Sequence, residues 1–109
     1  MAEYSLKSLA AEIEFDVEDF IPLINLFIDT TDSNLIEISS AVKESDKELV
    51  LANIHNIKGA SMNLGLEKIT GIMEQMSTLN KTGSFADIKI RVEECKLELK
   101  ELRQILERN

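Results

Sequence analysis

The sequence predicts an all-α protein, an antiparallel four-helix bundle with a short extra N-terminal helix, built as one domain over residues 1–109. Three observations carry that expectation. Apolar residues recur at steps of three and four along most of the chain, the spacing that gathers side chains on one stripe of a helix. Only four glycines and one proline interrupt the 109 residues. The turn signals are brief, so helices adjacent in sequence must run antiparallel. At this length the chain can enclose one hydrophobic core and is too short for two ordinary domains.

Taken in order, the first residues place Leu6, Leu9, Ala10 and Ile13 on one side of a short amphipathic helix that caps an end of the bundle. The next helix carries the stripe Phe20, Ile24, Phe27, Thr31, Leu35, Ile38 and Val42. Pro22 lies near its start. With Asp19 as N-cap, the proline falls in the first turn, where its missing N–H has no intrahelical partner to lose. The polar run between Ala41 and Leu49 makes a turn, and Ser45-Asp46-Lys47-Glu48 reads as a capping box. The helix it opens runs from about residue 46 to Leu64 and stops at Gly65, a residue suited to a left-handed C-terminal cap. A further helix, Leu66 to about Asn80, carries Ile69, Ile72, Met76 and Leu79, and Lys81-Thr82-Gly83 ends it. The last begins at a Ser84 N-cap with Asp87 three residues on, and aligns Phe85, Ile88, Val92, Cys95, Leu99, Leu102 and Leu106. Cys95 sits inside that stripe and is expected in the core.

Composition removes several functions. A net charge of -8 argues against nucleic acid as a partner, which needs clustered Lys and Arg. One cysteine and one histidine cannot make an internal disulfide or anchor a zinc site. No apolar run is long enough to span a bilayer, and MAEYSLKSLA lacks the order of a secretory signal. No membrane insertion and a cytoplasmic location are therefore expected.

The single histidine, His55, lies in the stretch HNIKGASMNLG, residues 55–65. The core stripe of its helix is Val50, Ile54, Ile57, Ser61 and Leu64. At about 100° per residue, His55 points roughly 140° away from that stripe and so faces solvent. Its neighbours on the exposed face are Leu51, Ala52, Lys58, Gly59 and Met62, where Glu, Lys or Gln would be the ordinary choice. Gly59 is costly in mid-helix, by about 1 kcal/mol relative to alanine, so something must need the missing side chain. Small and apolar residues around an exposed imidazole suit a docking surface on which another protein brings a reactive group to the ring. A histidine side chain in water has a pKa of about 6.5 and is largely uncharged at neutral pH, with a lone pair free to attack phosphorus. Lys58, one turn along, is within reach of negative charge held on that ring. The site therefore reads as a phosphate acceptor, to which a partner brings the acidic groups and magnesium of phosphoryl transfer.

The stretch from His55 through Lys58-Gly59 and a small residue at Ser61 to Leu64-Gly65 resembles the motif of the histidine-containing phosphotransfer (HPt) domain family. The resemblance implies a relay component of a two-component system that is not itself an enzyme, and nothing here resembles an ATP-binding loop. His55 would accept a phosphoryl group from an aspartate on one response-regulator receiver domain and pass it to another. Lys58 would steady the phosphate, Gly59 would admit the receiver, and Leu51, Ala52 and Met62 would dock it. A hybrid sensor histidine kinase is the further partner implied. The chain would need no cofactor of its own, with magnesium on the receiver. Family members often orient the imidazole with a glutamine or glutamate of the following helix; an ungapped extension puts Ser77 at that place and Glu74 one turn away. One acceptor per bundle makes a monomer sufficient.

Three other readings stand beside this one. An adaptor bundle with an idle histidine explains the periodic core but neither Gly59 nor the apolar face. A hydrolase with His55 as general base needs a nearby nucleophile, and Ser61 lies on the core face. A phosphoacceptor fed directly by a histidine kinase shares the same motif.

Overall fold

A computed structural model describes residues 5–108. Five helices follow in order: α1 (Leu6–Glu12), α2 (Val17–Lys43), α3 (Lys47–Asn63), α4 (Glu67–Thr82) and α5 (Phe85–Arg108). Helix α2 packs on α3, α3 on α4, α4 on α5, and α5 returns to α2, so four antiparallel helices close a ring and α1 lies against α2. The longest helix, α2, has 27 residues. At about 1.5 Å per residue it spans nearly the whole long axis of 41 Å.

Most of the predicted stripe positions form the interior, although Phe85 and Leu106 of α5 are only partly covered and Ile105 is buried instead. Phe20, Ile24, Leu35 and Ile38 of α2, Val50, Ile54 and Ile57 of α3, and Ile88, Cys95 and Leu99 of α5 are fully buried in one contiguous core. On α1, Leu6, Leu9 and Ala10 are buried, which extends that core past the α3–α4 turn. Ile13 lies beside that turn, with its Cγ2 3.4 Å from where a Cβ on Gly65 would sit. On α4 the buried positions are Ile69, Met73 and Met76, whereas the expected Ile72 and Leu79 are only partly covered. No helix among the described residues is long and apolar enough to cross a membrane.

Helix ends correct the sequence reading in two places. Helix α2 starts earlier than expected, with Asp16 as N-cap, which puts Pro22 inside the helix instead of in its first turn. Pro22 is exposed, so the Glu18 carbonyl that loses its N–H donor lies toward water. At α3 the capping residue is Asp46, whose carboxylate accepts the Leu49 N–H at 3.1 Å, and Ser45 sits in the preceding turn at φ 57°. Gly65 and Gly83 follow α3 and α4 at φ 69° and 74°, the left-handed conformation that glycine takes without strain. The Ser84 carbonyl accepts the first bond of α5, from Ile88 N–H, while its hydroxyl pairs with Thr82.

Two polar ties fix how α4 lies on α3. The Ser61 and Thr70 hydroxyls share a hydrogen bond of 2.7 Å, and the Asn80 amide donates to the Lys47 carbonyl at 3.0 Å. Ser61 and Asn80 are both buried, so each tie specifies a register that apolar packing alone would leave loose. Cys95 is a free, buried thiol. Burial first, then the charges of Glu98 and Asp32, pushes its pKa from 9.0 up to about 12. Ellman's reagent is expected to modify Cys95 only on unfolding. Between those two values the unfolded chain releases the thiol proton and the folded chain keeps it, so stability falls as pH rises through that window. Cys95→Ala should flatten the alkaline limb of a melting-temperature profile over the same interval.

Candidate functional site

His55 lies at the middle of α3, on the face turned away from the core, because Ile54 and Ile57 on either side of it are fully buried. Its side chain is exposed. The ring makes no hydrogen bond to any other described residue. Along the same face Ala52 and Gly59 are exposed, Met62 is 60% exposed, and Leu51 is half-buried. The expected small and apolar surface is therefore present around the imidazole.

Gly59 has open space on the side where a Cβ would point, with nothing within 4 Å. Among the described residues, no contact needs a glycine there. Any requirement for the missing side chain comes from outside the chain, at the surface one turn beyond His55. Gly59→Leu is expected to fold at least as stably as the wild type, since removing a mid-helix glycine gains about 0.5–1 kcal/mol. The same variant should slow phosphoryl uptake from a protein donor by about 10²-fold, the scale of a small misplacement of reacting groups. Normal transfer rates in that variant would remove the access argument.

Lys58 is not waiting free beside the ring. Its Nζ lies 3.8 Å from a carboxylate oxygen of Glu74 on α4, with the two side chains 35% and 61% exposed. The Ser61–Thr70 and Lys58–Glu74 pairs set an antiparallel register in which a step of three residues back on α3 meets a step of four residues on along α4. That register places Ser77 at about the level of His55. Ser77 is half-buried, and neither it nor Glu74 hydrogen-bonds the ring.

A feature the sequence reading missed flanks this face. A groove of about 480 Å³ runs between α2, α3 and the segment joining α1 to α2, and all of its lining residues are uncharged. Phe15, Leu23 and Leu26 form its apolar wall, and Asn56 and Ala60, the residues after His55 and Gly59, form its α3 side. Leu26 is 65% exposed and Phe15 44% exposed. In a chain that is 29% charged, an uncharged groove beside the histidine marks a face kept free of repulsive groups. The available signal was Leu26, an apolar residue off the core stripe of α2.

The described residues contain no cluster of His, Cys, Asp and Glu that could hold a metal ion. What the arrangement offers chemically is one accessible ring nitrogen, a lysine one turn away and room for a partner. The family model for the Hpt domain matches residues 22–105, from the first turns of α2 to near the end of α5. The chain belongs to the Hpt family. The matched span contains His55, Lys58 and Gly59 together with all four bundle helices. Hpt domains serve histidine phosphotransfer in phosphorelays and have receiver domains as partners. No curated protein and no solved structure matches the chain.

Proposed function

We propose that this Hpt domain is a phosphoryl carrier acting as a monomer, in which His55 accepts a phosphoryl group from an aspartyl phosphate on one receiver and delivers it to an aspartate on another. The observation that supports this most is the exposed His55 ring with no hydrogen-bond partner among the described residues, set on a small, apolar face. An imidazole serving the fold would be buried or bonded; this one is presented.

In the step itself, the unprotonated ring nitrogen attacks phosphorus, the P–O bond of the acyl phosphate breaks, and the receiver aspartate leaves as a carboxylate. The other ring nitrogen keeps its proton throughout. The reverse reaction with a second receiver regenerates the free ring. Such transfers depend on alignment and on stabilising the equatorial phosphoryl oxygens, so the carrier's own contribution is small. Lys58 supplies one cation, and Gly59 with the uncharged groove lets the receiver surface approach. Ala52, Met62 and the exposed part of Leu51 extend that contact. Ser77, at about the level of the ring, would be the α4 residue that orients it. The bundle requires no cofactor of its own in this scheme, since the magnesium belongs to the receiver. A hybrid sensor histidine kinase in the cytoplasm would carry the first of the two receivers.

The test is to mix the chain with the organism's phosphorylated receivers and follow both partners. The carrier reading expects receiver label to appear on this chain as an acid-labile phosphoramidate. Release of that label as inorganic phosphate, with no labelled chain at any time, would make the protein a phosphatase and overturn the reading.

A further inference from the structure

The carrier reading leaves Lys58 with a partner it must give up. Lys58 is three residues after His55 on the same face of α3, and the only other cation of that helix, Lys47, lies more than two turns away. Before any phosphate arrives, Lys58 is held toward α4 by the Glu74 carboxylate at 3.8 Å. A phosphoryl group on His55 would bring up to about two negative charges to the same region. It would compete with Glu74 for one ammonium and be repelled by the carboxylate it displaces.

Resting on the carrier reading, we propose that Glu74 is the resting counterion of Lys58 and a positioning residue for phosphoryl uptake, acting by withholding that lysine from His55 until the incoming phosphoryl group displaces it. The role follows from placement. The register fixed by Ser61 and Thr70 sets α4 so that Glu74 reaches Lys58, while Ser77 comes level with the ring. Glu74 thus touches neither the ring nor the phosphoryl group and acts through the lysine. Its carboxylate makes the resting site neutral and lowers its attraction for an anionic donor.

Phosphoramidate serves as the probe, because it needs no receiver: its P–N bond breaks, ammonia leaves, and phosphorus bonds to the ring nitrogen. In low salt, Glu74→Gln is expected to take up phosphate about two- to fivefold faster than the wild type, the scale of an exposed ion pair. The gain should vanish at about 1 M salt, where the Debye length is about 3 Å. It should also vanish in a Lys58→Ala background, which a purely structural role for Glu74 would not produce. Equal rates for Glu74→Gln and wild type at low salt, or an undiminished gain without Lys58, would overturn the proposal. The pair can be read without phosphate from the Glu74 carboxyl carbon resonance, which Lys58→Ala should move; an unmoved resonance also overturns it. A moved resonance in a chain that phosphoramidate never labels would contradict the carrier reading and leave the pair standing.

Discussion

His55→Gln is expected to take up no phosphoryl group from any receiver while unfolding at the wild-type denaturant midpoint. The two halves of that result come from one geometric fact. The imidazole stands on the exposed face of α3 and hydrogen-bonds no described residue, so its replacement orphans no buried group among them. Exposed substitutions of this kind stay within about 0.5 kcal/mol of the parent. Glutamine keeps much of the size and polarity of the ring but has no nitrogen lone pair capable of attacking phosphorus. A large fall in stability would show that the histidine serves the fold.

Two residues along the same helix the expectation inverts. Ile57 is fully buried and faces the core, although it stands only two residues from His55. Ile57→Ala removes three carbons from a packed interior and is expected to cost about 2–5 kcal/mol, measurable as a drop in the urea midpoint with an unchanged slope. The fraction that remains folded should still accept phosphate at His55, since the exposed face is not altered. A variant that lost transfer without losing stability would mean that the core side of α3 takes part in the chemistry.

These two expectations rest on the part of the molecule that was most legible in sequence. Steps of three and four residues report helix faces directly, so the stripe Val50, Ile54, Ile57, Ser61 and Leu64 predicted both the buried side of α3 and the exposure of His55. Helix starts were less legible, because capping competes among nearby polar residues. Asp19 reads as the cap of α2, yet Asp16 three residues earlier takes that place, and exposure of Pro22 lets the helix run through it with one carbonyl left to water. At α3 the capping box read from Ser45 to Glu48 shifts by one residue, with Ser45 in the turn and Asp46 accepting the Leu49 N–H.

What one sequence could not show is what lies between helices. The uncharged groove needs Phe15, Leu26 and Asn56 from three separate segments, and no periodicity within one helix joins them. The Lys58–Glu74 pair depends on the register between α3 and α4, which a hydroxyl contact between Ser61 and Thr70 helps to set. The small residues around His55 were visible in sequence, but the structure adds that Gly59 has no internal reason to be glycine.

The central claim is that His55 carries the phosphoryl group, and locating the label tests it most directly. The wild-type chain would be phosphorylated by a receiver, digested with trypsin near neutral pH to preserve a phosphoramidate, and its peptides fragmented by mass spectrometry. The account predicts one phosphoryl group on the peptide from Glu48 to Lys58, localised to His55 and lost in acid. A phosphoryl group on any other residue, or none on a folded chain offered all of the organism's phosphorylated receivers, would contradict it.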